Sequence, residues 1–439
     1  MSTPEFDSIV IGAGSARLAY AQTAAKLGAN VLLVERDALG GTCVNRECVP
    51  KKILWAASGI ARSATHTAQQ GISTDISFDF KKLVAKRDAH IRSIHASFET
   101  SLEDVGVTLI RGDATLLNAH SVRIRDEIFT ASHIILATGG RLSKMDIEGA
   151  QHLMNSRDVL EWTTLPARMM IVGGGYIGYE FAAIFTALGV KVTLVHDGAH
   201  VLDSFAENMA KHVQSGLETA GIDVLTNNGL EAVTQRGGGF ECLLKPGQTL
   251  TVDAVVAAVG RTPNIEQLGP FSGRLETVSN GALAVTAQFA TNVAGIYAIG
   301  DVADRLPLTP VATADVTALA HMLHCDGAAA VDLHLVATTT FVYPPAAFVG
   351  SVGDAPELAG KVVALVQNIL APDSARAPDF YKIGFDEATG AMTGAPIISD
   401  SAPDLIALCA ALIAAKAPAS AFTEATAIHP SFAEEFFGD

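Results

Sequence analysis

The sequence predicts an α/β fold in which two similar βαβ units are followed by a C-terminal α+β segment. Three observations carry this. A strand, a Gly-rich turn, a helix and a second strand run through residues 7–35, and the same order returns at 169–197. The interval from Gly12 to Val34 equals that from Gly173 to Val195, so the copies share one geometry. Residues 331–439 alternate strands with an Ala-rich helix at 403–415 and carry no such turn. Strands and helices in alternation point to layered α/β structure. Here they read as two Rossmann-like dinucleotide-binding domains and a third domain of another kind.

The first strand is Ser8–Ile11, the turn Gly12-Ala-Gly14-Ser15-Ala-Arg17, and the second strand Val31–Val34, closed by Glu35. Residues 50–100 read as helical. Residues 106–137 read as short strands that end in Ile134-Ile-Leu-Ala-Thr138-Gly139-Gly140. The second unit has Met169–Val172, the turn Gly173-Gly-Gly175-Tyr176-Ile177-Gly178, a helix through Ala183 and Leu188, and Val192–Val195 before His196-Asp197. Val255–Val259 with Gly260-Arg261 answers the stretch at 134–140, and Gly295–Asp301 is a strand entering a Gly-Asp turn. Strands at Thr338–Val342 and Phe380–Phe385 follow. The expected boundaries are 1–140, 141–264, 265–330 (a return to the first domain) and 331–439.

A chain of 439 residues, 49% apolar and 17% charged, builds a core without disulfide staples. Its formal charge of −16 argues against nucleic acid, whose phosphates need a basic face. No apolar run reaches membrane-spanning length, and no basic segment precedes an apolar stretch at the start. Five cysteines in so long a chain suit a reducing compartment. A cytoplasmic protein is expected.

The chemistry gathers in the turns and in one cysteine pair. A Gly-rich turn opening a helix lets backbone N–H groups meet a pyrophosphate where the helix dipole favours an anion. Glu35 stands where an acid bonds a ribose hydroxyl. The first turn departs from pattern at Arg17, which replaces the third glycine. Cys43 and Cys48 lie between Gly40-Gly41-Thr42 and Val49-Pro-Lys51-Lys52. No second cysteine pair or histidine cluster at zinc spacing accompanies them, so no metal is expected. A redox pair is favoured, in which one thiolate attacks a disulfide and the other resolves the mixed disulfide.

The segment Gly40-Gly-Thr-Cys-Val-Asn-x-x-Cys-Val-Pro-Lys-Lys52 resembles the active-site segment of the glutathione reductase branch of the pyridine nucleotide–disulfide oxidoreductases. Gly173–Glu180, Ala298–Asp301 with Leu308–Ala312, and His429-Pro-Ser-Phe-Ala-Glu434-Glu435 resemble that family's nicotinamide turn, second flavin stretch and C-terminal catalytic motif, in order. The resemblance implies an FAD domain, an inserted NAD(P) domain and a C-terminal dimerisation domain. It implies FAD held by Gly12, Gly14, Ser15, Glu35, Gly41, Thr42, Thr138, Gly139, Asp301 and Thr309. It implies a nicotinamide cofactor at Gly173, Gly175, Tyr176, Ile177, Gly178, Asp197 and Gly260, with Tyr176 covering the flavin until that cofactor arrives. Cys43 is then the interchange thiol and Cys48 the flavin-side thiol. Lys51 and Glu180 pair beside the flavin, and His429, contributed across a homodimer and oriented by Glu434, protonates the leaving thiol.

Two departures bear on specificity. Where that branch places two arginines for the 2′-phosphate of NADPH, this chain has Asp197 and Asp203, so NADH is expected over NADPH. Asp197 falls one residue after the usual acid position, which His196 occupies. Two arginines that hold glutathione carboxylates are replaced by Gln22 and Thr317, while Asp315, Glu47, Arg46 and Arg17 enter the neighbourhood. Ser15, Gln22, Glu47, Asp315 and Thr317 are the candidate substrate residues. A carboxylate at 47 is expected to raise a nearby thiol pKa and Arg46 to lower it. The expected substrate is a small disulfide other than glutathione disulfide, neutral, zwitterionic or cationic. A glutathione-disulfide reductase, a dihydrolipoyl dehydrogenase and a catalytically silent flavoprotein dimer are the alternatives. Val49-Pro-Lys-Lys in place of Ile-Pro-Ser-Lys disfavours the second, and intact Lys51, Glu180, His429 and both cysteines disfavour the third.

Overall fold

The computed structural model describes residues 5–67, 77–202, 205–325, 327, 330–353, 358–359 and 379–429. The chain forms two compact units, one of residues 1–50, 85–143 and 260–333, the other of 51–84, 144–259 and 334–439. Each contains one of the βαβ repeats.

In the first unit the elements begin β1 (Phe6–Ile11), α1 (Ser15–Lys26), β2 (Val31–Glu35), α2 (Gly41–Arg46) and α3 (Cys48–Thr67), the last running on into the second unit. After α4 (Phe80–Glu103) come β3 (Thr108–Arg111), β4 (Ala114–Asn118), β5 (Ser121–Ile124), β6 (Glu127–Leu136) and β7 (Gly140–Leu142). The sheet order is β3-β2-β1-β6-β5-β4, and strand Ile296–Ala298 also pairs with β6. The first four strands and Ile296–Ala298 are parallel, whereas β4, β5 and the start of β6 are antiparallel. A parallel strand is covered on both faces, so its residues are apolar without alternation. Ile9, Val10, Leu32, Leu33, Ile134 and Ile135 accordingly have no exposed surface. Helix α1 and helix Thr309–His324 supply one covering layer through Leu18, Ala21, Val316 and Leu319.

The second unit continues with α5 (Ser156–Leu160), β8 (Arg168–Val172), α6 (Tyr176–Ala187), β9 (Lys191–Val195), α7 (Glu207–Thr219) and β10 (Asp223–Leu225). Asn155 starts α5 with a reciprocal capping box to Asp158. Next come β11 (Leu230–Arg236), β12 (Gly239–Leu244), β13 (Gln248–Val252) and β14 (Ala254–Ala257). Strands β10-β9-β8-β14 form the parallel nucleotide-type sheet, and β11-β12-β13 an antiparallel meander. The C-terminal segment is an antiparallel sheet centred on Met392–Ile398, which pairs with Ala346–Gly350, and helix Ala402–Ala414 packs on it through Ile406 and Cys409. This agrees with the expected α/β class and α+β third portion.

Candidate functional site

In the first unit the Gly turn makes a cradle at the open end of α1. Gly12 has φ 103°, and the N-cap of α1 is Gly14, which has no side chain to accept from the first N–H groups of the helix, leaving them available to an anion. Gly41 has φ 56°, and a Cβ there would lie 2.7 Å from the Gly14 Cα. The redox segment therefore docks on the turn by backbone approach, reinforced by Gly40 N–H donating to the Ala13 carbonyl at 2.8 Å. Glu35 is buried at the end of β2, and its carboxylate accepts from Ala13 N (2.5 Å) and Asp37 N (2.8 Å). Thr138 donates to the Asn264 carbonyl at 2.6 Å, and Gly139 takes φ 70°. Asp301 lies 3.8 Å from Arg261 Nε, a buried donor with no hydrogen-bond partner among the described residues. Uncapped helix donors for a pyrophosphate, an acid for a ribose and an orphaned guanidinium nitrogen beside Asp301 fit FAD.

The dithiol occupies the rim of this cradle. Cys43 lies inside α2 and Cys48 is the first residue of α3. Both are thiols, and they hydrogen-bond to each other. Cys48 Sγ also lies 3.9 Å from Thr309 Oγ1, at the start of helix Thr309–His324. The bond with Cys43 and then burial push the Cys48 thiol well above its usual range, with the Thr309 contact opposing. Asn45 fixes the segment from within: its Nδ2 donates to the carbonyls of Leu39 (3.0 Å) and Gly41 (2.9 Å), and its Oδ1 lies 2.6 Å from His95 Nε2. Glu47 pairs with Arg261 at 2.6 Å. Burial raises its pKa and the guanidinium opposes that. Arg46 turns instead to Asp37 at the surface. The counter-cation of Glu47 is thus Arg261, 214 residues away in sequence, and not its neighbour.

In the second unit Gly173 has φ 120°, and a Cβ at Gly178 would run into the Gly173 carbonyl. That is the close helix–strand packing for which a third glycine is needed. Gly175 caps α6 with no side-chain bond and has open space around it, so nothing blocks a phosphate from its N–H groups. Tyr176 begins α6 and is 44% exposed, with Ile177 half-buried behind it. Gly260 has φ 97° and open space around it. His196 is buried, packed where Gly174 and Gly198 lack side chains, and its Nδ1 meets the exposed Asp197 carboxylate at 3.3 Å. Lys51 Nζ and Glu180 Oε2 are 2.8 Å apart and almost fully buried, and Glu180 Oε1 accepts from Phe341 N at 2.8 Å.

The sequence matches the profile of the pyridine nucleotide-disulphide oxidoreductases over residues 6–315 and that family's dimerisation domain over 336–438. The chain belongs to this family. It is an oxidoreductase of the glutathione reductase branch, acting on disulfides with NAD(P)H and FAD. The glutathione reductase of Burkholderia cepacia is 34% identical over 449 residues, covering 99% of this chain and 98% of the relative. That of Nostoc sp. is 31% identical over 454 residues, covering 99% of each. Among solved structures, the HOCl-induced flavoprotein disulfide reductase RclA from Escherichia coli superposes with a TM-score of 0.87 at 25% identity, covering 98% of both chains.

Within this oxidoreductase the candidate substrate residues are dispersed. Gln22 donates to Ser101 Oγ at 2.7 Å, and Thr317 donates to the Thr313 carbonyl. Asp315 has no exposed surface, and both its oxygens accept from Arg305, at 2.9 and 2.8 Å. Thr42 Oγ1 lies 3.2 Å from Arg261 Nη2. His429 is exposed. Glu434, Asp203 and the side chains of Ser15 and Arg17 lie outside the described residues. Arg261, Arg305 and Asn45 were not foreseen as site residues. Gly260-Arg261, standing where the first unit has Gly139-Gly140, was the available signal for Arg261. Among the described residues no helix is long and apolar enough to cross a membrane.

Proposed function

We propose that the protein reduces a low-molecular-weight disulfide other than glutathione disulfide, as a cytoplasmic homodimer that prefers NADH. The observation that carries this reading is the hydrogen-bonded pair of Cys43 and Cys48 thiols, docked on a dinucleotide-type cradle. Bound FAD would relay two electrons from the nicotinamide to the Cys43–Cys48 disulfide. In the reduced pair the Cys43 thiolate attacks one sulfur of the substrate. The other sulfur leaves and takes a proton from His429 of a second copy of the chain, oriented by Glu434. Cys48 then attacks the Cys43 sulfur, which re-forms the intrachain disulfide and releases the second thiol. Lys51 and Glu180 form a fixed, buried charge pair that would tune a bound flavin, and the exposed Tyr176 would yield its place to a nicotinamide.

NADH preference is supported by the exposed carboxylate of Asp197, which repels a 2′-phosphate. A substrate other than glutathione disulfide is supported by Gln22 and Thr317, which are uncharged and already bonded within the chain. A cationic substrate loses support, because the Glu47 and Asp315 carboxylates are each held in an ion pair with an arginine and are not free to grip a substrate cation. A neutral or zwitterionic disulfide agrees better. Glutathione disulfide itself is the second reading, favoured by full-length relatives named glutathione reductase. The test is NADH and NADPH oxidation by the flavin-loaded protein with glutathione disulfide, zwitterionic and cationic disulfides in parallel. Turnover fastest with NADH and a non-glutathione disulfide is expected. Rapid turnover of glutathione disulfide would replace the first reading by the second. Cys43→Ser should abolish turnover and leave bleaching of the flavin by NADH intact.

A further inference from the structure

Glu47 occupies the one residue between α2 and α3, with φ −147° and ψ −90°, so the two helices that carry the thiols meet at its backbone. Its side chain is 17% exposed and its partner Arg261 15%. Arg261 Nη2 also donates to the Gly140 carbonyl at 2.5 Å and reaches Thr42 at 3.2 Å, and its Nε faces Asp301. One guanidinium thereby ties the start of α2, its end, β7 and the Asp301 turn. It also faces two carboxylates, which leaves the cluster with one uncompensated negative charge.

We propose that Glu47 is a positioning residue of the redox pair: clamped by Arg261, it fixes the turn before Cys48 and keeps a negative charge beside both thiols, so that the reduced pair ionises at higher pH than it would without that charge. The proposal rests on the pair being the redox centre.

Within one chain, and among the described residues, few groups act on the thiols, and in the dimer His429 of a second copy joins them. Cys48 begins a helix and touches the first residue of another, and both helix N-termini favour the thiolate. Thr309 bonds toward Cys48, and Asp301 adds negative charge to the Glu47–Arg261 cluster. Lys51, one turn along α3, is held by Glu180, and Arg46 by Asp37. Glu47 is the chain neighbour of Cys48, and Arg261, which holds it, also reaches Thr42, the neighbour of Cys43, so its charge acts on both thiols. It therefore opposes two helix ends that would otherwise draw the pair toward thiolate.

The holoenzyme, reduced by excess dithiothreitol, is alkylated with iodoacetamide from pH 5 to 10, and Cys43 and Cys48 are followed separately by mass spectrometry. Glu47→Gln keeps the size of the side chain and removes its charge. A shift of about half a pKa unit, or about threefold faster alkylation at pH 7, is expected. Glu47→Gly should shift the profile the same way, and Glu47→Asp should keep the wild-type profile. Unchanged profiles in both uncharged variants would overturn the proposal, as would a shift toward higher pH. If Glu47→Gln does not fold, the glycine variant decides alone. The readout does not depend on turnover. An active enzyme with unmoved thiols removes this inference and leaves the proposed reaction, whereas moved thiols without disulfide turnover do the reverse.

Discussion

At the scale of single residues, charges define the site, and most of them are held in pairs. Lys51 and Glu180 are 13% and 4% exposed, so neither has water to fall back on. Removing one partner strands a buried charge, which costs about 3–5 kcal/mol. Lys51→Met should lower the chemical unfolding midpoint accordingly, and adding Glu180→Leu should restore most of it; a double variant no better than the single would show that the charge is not what matters. Lys52 is a different case. Its ammonium lies 3.4 Å from the Phe341 ring centroid and 3.8 Å from that of Trp55, contacts that favour the cation. Burial, followed by the Lys51 charge, outweighs them and pulls its pKa down to about 8. The folded state then binds fewer protons than the unfolded chain between about pH 8 and the ordinary lysine range. Any stability gain from this group appears as pH rises through that window. At pH 8 Lys52 should be among the lysines acylated fastest by an amine-reactive ester, and peptide mapping that ranks it with the exposed lysines would count against this. The cysteines, Lys51 and Glu180 were legible because they sit in short motifs. The partnerships of Glu47 and Asp315 were not, because Arg261 and Arg305 reach them through folding and no local rule names a tertiary partner.

At the scale of elements, the βαβ units were legible because their strands are unbroken apolar runs and their turns are punctuated by glycine. The central strand of the C-terminal sheet, Met392–Ile398, was not. It contains Gly394 and Pro396, residues that ordinarily argue against an inner strand, yet it pairs on both sides. Gly394 is needed there because a Cβ would meet the Ser351 backbone, at 2.5 Å from its nitrogen. The second Gly turn separates two duties that glycine performs. A Cβ at Gly178 strikes the Gly173 carbonyl, whereas one at Gly175 meets nothing within 4 Å. Gly178→Ala should therefore lower the melting temperature. Gly175→Ala should leave it within about 1 °C while weakening NADH binding tenfold or more, since the methyl group stands where a pyrophosphate approaches. Calorimetric titration and thermal melts on the two variants check this, and equal losses of stability would refute the division of labour.

At the scale of the whole molecule, the dimerisation domain spanning 336–438 makes a homodimer the working unit. His429 lies near the end of that domain and is exposed, while the thiols belong to the first hundred residues. If His429 serves the thiols of a second copy, each active site is built from two chains, and a twofold axis makes two such sites. Complementation then has a definite arithmetic. Cys43→Ser and His429→Gln homodimers should both fail in disulfide turnover. In a mixed dimer one site combines the intact Cys43 of one chain with the intact His429 of the other, and the second site lacks both. Random reassortment makes half of all dimers mixed, each with one working site of two. Activity should return to about a quarter of the wild-type value. Copurification through two different affinity tags isolates the mixed dimer, whose activity should approach one half. If the mixture stays inactive although mixed dimers form, His429 acts within its own chain or not at all. Recovery to the predicted fraction would leave no arrangement but the shared one, because neither parent chain carries a complete set of groups.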